Sequence, residues 1–431
     1  MASICIDGFN IALPNGSGIA TFGRNLLTNA RAAGYGTQVL YGPRHGRSKN
    51  PILNEVALTD AGEGPKGSRL RRLYRQFREP MGRTLHPVTP TGEVIWPRAG
   101  GGMPAADYFW TSQALFSDAN TRFRARRRFT EVRFGDGETA PDLMHWTTVL
   151  PLRARGVPNV CTIHDLIPLR LPHTTLDNKR AFLALCRRIA READHVTVVS
   201  EATRQDVIRL LKMPEERVTN TYQAVSVPEA VTRRSDEEVA REIEGLFQLG
   251  WKEYYLYFGA VEPKKNLGRI VQAYLASGVK TPLVVIGGRA WLAEAETALL
   301  NQMRERSESM AERLLQFDYL PYPMLMSLAR GARATLFPSL YEGFGLPVLE
   351  SMLLGTAVLT STGGSLPEVA GEAAHIVDPY DVEAISQGIR ALDMDEDYRT
   401  ALEAAGRLQA ARFSPEAYQA RLKAVYGRFG L

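Results

Sequence analysis

What most limits the fold open to this chain is a rhythm that occurs twice along it: short apolar runs, each followed by a stretch with helical periodicity. The first series places strands over residues 3–7, 37–41, 143–146, 159–163 and 195–199, with helices over 19–33 and 201–211. The second places strands over 254–258, 283–286, 314–317, 334–337 and 357–360, with helices from Leu267, over 293–306, from Pro323 and from Pro347. Strands alternating with helices call for a parallel sheet covered on both faces. A chain of 431 residues also exceeds one compact domain and suits two of about 200 residues each. The predicted architecture is α/β, with two doubly wound, Rossmann-like domains facing a central cleft. They cover residues 1–226 and 251–414, with a linker over 227–250 and a last helix within 415–431 packing back on the first domain. Between Pro43 and Pro141 the rhythm weakens in a stretch rich in Gly, Pro and Arg, which reads as an insertion.

Composition excludes several classes. No run of about 18 apolar residues exists to span a membrane, and the opening MASICIDGFN starts as a strand, without the charged and apolar regions of a secretory leader. The expectation is a cytoplasmic protein. Cys5, Cys161 and Cys186 are odd in number and lack metal-ligand spacing, so they read as reduced, packed thiols. Charge is divided unevenly. Residues 1–225 carry 31 Lys and Arg against 20 Asp and Glu, whereas residues 226–431 carry 21 against 27. A basic first half fits an anionic partner: nucleic acid, an anionic membrane surface or a phosphate-bearing acceptor.

The segment with the most chemical content is Phe337-Pro-Ser-Leu-Tyr-Glu-Gly-Phe-Gly-Leu-Pro-Val-Leu-Glu350. It follows an apolar run and opens a helix, with Pro347 suited to the first turn. Gly343 and Gly345 leave room for a ligand to approach the backbone, and free N–H groups at the helix start favour an anion such as a diphosphate. Glu342 precedes the helix and Glu350 lies about one turn inside it. One carboxylate can then bond sugar hydroxyls and the other ribose hydroxyls.

Tyr341-Glu342-Gly343-Phe344-Gly345-Leu346-Pro347-x-x-Glu350 resembles the Glu-x7-Glu signature of the family 4 glycosyltransferases, retaining enzymes of the two-domain GT-B fold. Four further segments are similar to that family: Phe258 to Leu267, Thr162-Ile-His-Asp-Leu166, Val198-Val-Ser-Glu201 and Ser361 to Val369. The resemblance covers nearly the whole chain and is weakest over residues 43–140. It implies a hexosyltransferase of polysaccharide assembly, similar to bacterial mannosyltransferases, that uses a nucleotide-sugar donor without a metal or other cofactor. GDP-mannose is the first expected donor and a UDP-hexose the next. The acceptor is expected to be a saccharide or lipid-linked saccharide bound by the first domain. Nucleic acid is not an expected partner.

The resemblance also assigns roles. Lys265 neutralises the departing diphosphate, with Lys264 beside it; the bland alternative is a surface lysine with a helix cap from Asn266. Many relatives carry an Arg shortly after the glycine of this strand, where Ala260 and Val261 stand here. Ser17 and Gly18 belong to the Gly-rich loop that meets the diphosphate from the first domain, and Gly259 to the matching loop of the second. His164, at a strand end beside Asp165, approaches the donor sugar. Tyr319 and Leu320 occupy the base-contacting position. Glu368 shapes the donor loop or simply caps a helix. The expected catalytic set is Glu342, His164 and Lys265, and donor binding adds Gly343, Phe344, Gly345, Leu346 and Glu350.

Two segments imitate other chemistry. Asp393-Met394-Asp395 has the form of an Asp-x-Asp metal motif but lies in an acidic run, which reads as a solvated face. Residues 69–78 and 122–129 alternate arginines with aromatic and aliphatic residues, the composition of a helix resting on anionic lipid or of one packing on its own domain. Rival readings fit less well. A dinucleotide oxidoreductase needs G-x-G-x-x-G and an acid ending the next strand; the chain offers Gly16, Gly18, Gly23 and a strand ending Leu40-Tyr41-Gly42. A non-catalytic sugar-nucleotide or polyanion binder leaves Glu342, Glu350 and Lys265 unexplained.

Overall fold

The computed structural model describes residues 1–11, 18–59, 82–96, 102–135, 140–227 and 229–431. The first sheet is built from β1 (Ser3–Asp7), β2 (Gly36–Tyr41), β3 (His86–Val88), β4 (Tyr108–Thr111), β5 (Leu143–Trp146), β6 (Asn159–Ile163), β7 (His195–Val198) and β8 (Val218–Asn220). Its order is β8-β7-β6-β5-β1-β2-β4-β3, parallel except for β3 at the edge. The second sheet contains β9 (Tyr255–Phe258), β10 (Leu283–Ile286), β11 (Leu314–Phe317), β12 (Ala334–Phe337), β13 (Ala357–Ser361) and β14 (His375–Val377), in the order β11-β10-β9-β12-β13-β14. Both are doubly wound. The order of winding reverses between the parallel neighbours β1 and β5 in one sheet and β9 and β12 in the other, and ligands of such folds gather outside the strand carboxyl ends at these points.

The central strands form because their residues are β-branched, aliphatic or aromatic and are covered on both faces. β9, β10, β12 and β13 are buried along their whole length. Four helices matter for the site: α1 (Gly18–Ala32), α2 (Glu201–Leu211), α3 (Leu346–Leu353) and α4 (Leu366–Ala370). Helix α2 starts where Ser200 accepts the Thr203 N–H at 3.1 Å, a side-chain cap for one of the free donors of its first turn.

The insertion is more integrated than its composition suggests. It supplies β3 and β4 to the first sheet and a helix, Leu115–Arg126, whose neighbours Arg83–Thr84, Thr130–Arg133 and Leu152–Ala154 form a small separate sheet. Phe123 and Phe129 are buried while Arg124 and Arg126–Arg128 are exposed. The aromatics of this basic stretch therefore pack on their own domain. The other basic stretch, 69–78, lies outside the described residues. Among the described residues no helix is long and apolar enough to cross a membrane. All three cysteines are free and buried.

The chain crosses between the two units twice. Ala224–Val227 leads out of the first sheet, and Val225 N donates to the Phe413 carbonyl on the return path. The last helix, α5 (Pro415–Tyr426), then lies against the first sheet, where the Tyr426 hydroxyl meets His145 Nδ1 at 2.8 Å. At the crossing, the rings of Tyr222, Phe344 and Phe413 pack together with centroids 5.2–6.4 Å apart.

Two sequence readings are corrected here. Asp393 is no solvated carboxylate: its Oδ1 accepts from Tyr255 at 3.0 Å, Thr281 at 2.7 Å and Arg333 at 2.8 Å. Asp395 caps the following helix at Tyr398 N. Both carboxylates are used inside the second domain, and the acidic look of the segment concealed hydroxyl and guanidinium partners that arrive from distant strands. Asn266 does not cap a helix either. Its backbone is left-handed (φ 66°), and its side-chain amide donates to the carbonyls of Pro338 and Pro379 at 2.9 and 2.7 Å, tying three loops together.

Candidate active site

The carboxyl ends of β9 and β12 bring Lys264, Lys265 and Glu342 together. Lys265 Nζ lies 2.7 Å from Glu342 Oε1 and 4.6 Å over the Phe337 ring. Lys264 Nζ lies 3.8 Å from Glu342 Oε2 and 3.4 Å from Glu262 Oε1. Glu262, the acid of the Glu-Pro-Lys-Lys loop, was absent from the sequence-derived site; its motif is visible, but only the short turn Pro263–Lys265 folds it back onto the lysines. All four groups are largely withdrawn from water. Burial alone would raise the Glu342 carboxyl, but the Lys265 and Lys264 ammonium groups outweigh it and hold it below the usual carboxylate range. Burial pushes Lys265 down. Burial also acts to lower Lys264, yet Glu342, Asp165 and Glu262 together raise it. The result is an ionised cluster with two cations at the point where the second sheet divides.

The first domain meets this cluster directly. A side chain on Gly343 would collide with the His164 carbonyl and come within 3.0 Å of the Asp165 Cβ. Gly345, with φ +108°, has Leu366 Cδ2 2.8 Å from where a Cβ would stand. Room at these glycines is thus filled by protein rather than left for a ligand, a correction to the reading from sequence. Phe344 is likewise turned away: its side chain is buried in the aromatic group at the crossing. Only its backbone remains for ligand contact.

His164 stands at the end of β6. Its Nε2 lies 2.8 Å from the Thr147 carbonyl, which can only accept, so Nε2 carries a hydrogen. The ring packs edge-on to Phe22 of α1 at 4.7 Å. Burial lowers its basicity, against smaller opposing effects of the Thr147 bond and Asp165. A neutral ring tethered this way keeps Nδ1 as a free acceptor. Thr147 in turn is held by Asp7 at the end of β1, whose Oδ2 accepts the Thr147 N–H at 2.5 Å.

A cavity of about 930 Å³ opens between the two sheets; Lys264, Lys265, Glu342 and His164 are not among its lining residues. Its second-domain wall carries Gly259, Gly287, Asp318, Tyr319, Leu320 and Glu350. Tyr322 donates to Glu350 Oε1 at 2.7 Å, and burial raises the Glu350 carboxyl despite that bond. The first-domain wall is α1, through Thr21, Arg24 and Asn25. Arg24 donates to the Gly102 carbonyl at 3.2 Å and has no carboxylate partner among the described residues. Leu346 also lines the cavity, and a side chain on Gly18, the first residue of α1, would point toward it at 4.0 Å. The start of α1 and the start of α3 therefore face each other across the opening, each with the positive end of its helix dipole toward it. Ser17 falls outside the described residues. Thr21, Arg24 and Tyr322 went unnoticed in the sequence because no motif marks them; their place follows only from the direction of α1 and of the loop after β11, whose residues 317–321, Asp318 among them, read as the base-contacting segment.

Two family models match the chain: "Glycosyltransferase Family 4" over residues 16–227 and "Glycosyl transferases group 1" over residues 242–409. The O-antigen chain mannosyltransferase B of Escherichia coli is 35% identical over 265 residues, covering 60% of this chain and 67% of that enzyme. The serotype-specific mannosyltransferase WbdA of Escherichia coli is 31% identical over 280 residues, covering 62% of this chain but only 33% of its own length. Among solved structures, Anabaena Alr3699/HepE in complex with UDP and glucose superposes with a TM-score of 0.64 over 99% of this chain and 100% of that one, at 14% identity. The likeness establishes the GT-B arrangement of two Rossmann-like units.

Proposed function

The chain belongs to the family 4 glycosyltransferases, and from that premise we propose that it transfers mannose from GDP-mannose to a growing saccharide, with retention at the anomeric carbon and without a metal or other cofactor. The observation that carries this reading is the pair of lysines on Glu342, together with a cavity whose wall bears Glu350. A donor diphosphate between the starts of α1 and α3 would meet two helix N-termini and the two ammonium groups. Glu350 would accept from ribose hydroxyls, and Glu342 from hydroxyls of the sugar. Same-face attack through an oxocarbenium-like transition state would then leave the departing phosphate to take the acceptor proton, while Lys264 and Lys265 stabilise the charge it gains.

Guanine is favoured over uracil by Asp318. An aspartate on the cavity wall accepts two hydrogen bonds side by side, and guanine offers two adjacent N–H donors on one edge where uracil offers one. The mannosyltransferase relatives support the sugar, and the UDP-bound solved structure keeps a UDP-hexose as the second reading. The basic first half and the exposed Arg124 and Arg126–Arg128 support an acceptor carried on lipid at an anionic membrane face.

The test is to incubate the protein with a panel of nucleotide sugars and measure nucleoside diphosphate release, with and without a lipid-linked oligosaccharide. Release from GDP-mannose above all others is expected. Release only from UDP-hexoses would replace the donor, and stabilisation by NAD with no release from any nucleotide sugar would sink the reading. Co-sedimentation with anionic but not neutral liposomes at low salt is expected; its failure would remove the membrane part.

A further inference from the structure

Glu368, in α4 of the second domain, does cap a helix, but one of the opposite domain. Its carboxylate reaches across to the first domain and accepts the N–H groups of Glu201 at 2.8 Å and Ala202 at 2.9 Å. These are the first two residues of α2. The Tyr222 hydroxyl donates to the same carboxylate at 3.2 Å. Ser200 already serves the Thr203 N–H, so Glu368 takes two donors that the helix's own cap leaves open. A carboxylate there also faces the positive end of the helix dipole.

The other side of this contact leads to the cluster. The residue before α4, Ser365, bonds the Glu342 carbonyl through both its N–H, at 3.1 Å, and its hydroxyl, at 3.0 Å. The same hydroxyl donates to the Phe344 carbonyl at 2.7 Å. Gly364 pairs with Glu342 as an isolated β-bridge, and a side chain on it would collide with the Glu342 carbonyl. On the first-domain side, Thr203 in α2 donates to the His164 carbonyl at 3.1 Å. Tyr341 donates to Asp206 of α2 at 2.6 Å. Helix α2 is therefore joined to His164 on one side and, through Glu368 and Tyr341, to both flanks of Glu342 on the other.

We propose that Glu368 is a positioning residue for the transfer: by capping α2 from the opposite domain it sets where Glu342 and the lysines stand relative to His164, and so holds the cleft in its working closure. Donor atoms need not touch it. The proposal rests on the glycosyltransferase reading for its kinetic consequence, but the domain contact itself does not. Loss of the cap should open the cleft and misplace reacting groups supplied by different domains, while the second-domain wall that receives the nucleoside stays intact.

Glu368→Ala, Glu368→Gln and Tyr222→Phe test this, with small-angle scattering for domain separation, calorimetry for GDP binding, and steady-state kinetics with the donor found active. Glu368→Ala is expected to enlarge the radius of gyration and to lower kcat by about 10- to 100-fold, the scale of a misplacement of roughly 1 Å. GDP affinity should move far less. Glu368→Gln, which keeps one acceptor, should fall between it and the parent, and Tyr222→Phe should be mildest; these two keep the test open if the alanine variant does not fold. Unchanged scattering with kcat within twofold of the parent would overturn the proposal, as would a lowered melting temperature with kcat retained. If the parent released no nucleoside diphosphate from any sugar nucleotide, the functional reading would fall alone. Scattering would then still decide whether Glu368 holds the two units together.

Discussion

Lys265 and Glu342 occupy each other: the ammonium nitrogen is 2.7 Å from the carboxylate oxygen, with Glu342 buried and Lys265 partly buried. A donor diphosphate arriving at the lysine must therefore exchange one anion for another, and the released carboxylate becomes available to the sugar. Removing Glu342 takes from Lys265 its carboxylate partner, and removing Lys265 leaves Glu342 only Lys264, 3.8 Å away. Lys265→Ala and Glu342→Ala are each expected to lower kcat/KM by about 100-fold or more. Because they act as one unit, the double substitution should cost little beyond the worse single one. A double-mutant cycle on donor turnover checks this, and simple additivity would argue that the two work independently.

Tyr322 and Glu350 form the second such pair, on the cavity wall. The hydroxyl fixes which carboxylate oxygen remains for the ligand. Tyr322→Phe frees that carboxyl to rotate without changing the wall's shape. Donor KM should rise by about tenfold, roughly the worth of one hydrogen bond to a charged group, with kcat nearly kept. Glu350→Gln should act in the same direction. A fall in kcat at constant KM would place Glu350 nearer the reacting atoms than proposed.

Much of this was open to inspection in the linear chain. The strand ends that carry His164, Lys265 and Glu342 are marked by apolar runs with a sharp change of composition after them; Lys265 and Glu342 meet directly, while His164 approaches their loop through its backbone carbonyl, at Gly343. Glu262 lay inside a recognised motif, yet its contact with Lys264 depends on a single short turn. Gly343 was placed on the right loop for the wrong reason, because the neighbour it admits belongs to the other domain. Periodicity reports which face of an element is buried and says nothing about what stands opposite. Arg24 escaped for that reason, and for Glu368 the helix cap was open to expectation but not that the helix belongs to the other domain: both act on a surface that exists only once two Rossmann-like units are set against each other.

Stability of the first domain should depend on pH through three histidines and one aspartate. Burial lowers His145 from 6.5 to about 3 and His195 from 6.5 to about 4, and it lowers His164 as well. A histidine kept neutral by the fold takes up a proton only in the unfolded chain as the pH drops below 6.5. Each therefore favours unfolding on acidification, down to its folded value. Asp7 has the opposite sign: burial raises it from 3.8 to about 6, so the folded state binds the extra proton between those values and gains stability as pH falls. With three groups against one, the melting temperature is expected to drop between pH 6.5 and 4. His195→Gln should flatten the curve, and Asp7→Asn should steepen it. A melting temperature that rises on acidification would show that Asp7 outweighs the histidines.

Gly343→Ala isolates the contact between the domains from the chemistry within them. The added methyl would run into the His164 carbonyl, a backbone atom at the end of β6 that cannot swing aside as a flexible side chain would. Relief must come from moving the whole loop or separating the two units. The substitution introduces no charge, removes no polar group and requires no left-handed backbone, since Gly343 is absent from the positive-φ glycines. Turnover is expected to fall by about tenfold or more, while the melting temperature changes little. Gly345→Ala makes the useful contrast. There the backbone is left-handed at φ +108° and Leu366 crowds the site, so strain within the second domain should lower its melting temperature by several degrees. Measuring both variants by thermal melts and donor turnover separates the two effects: a Gly343→Ala protein that melts early, or turns over at the parental rate, would mean that the gap between Gly343 and His164 is not what sets the working distance across the cleft.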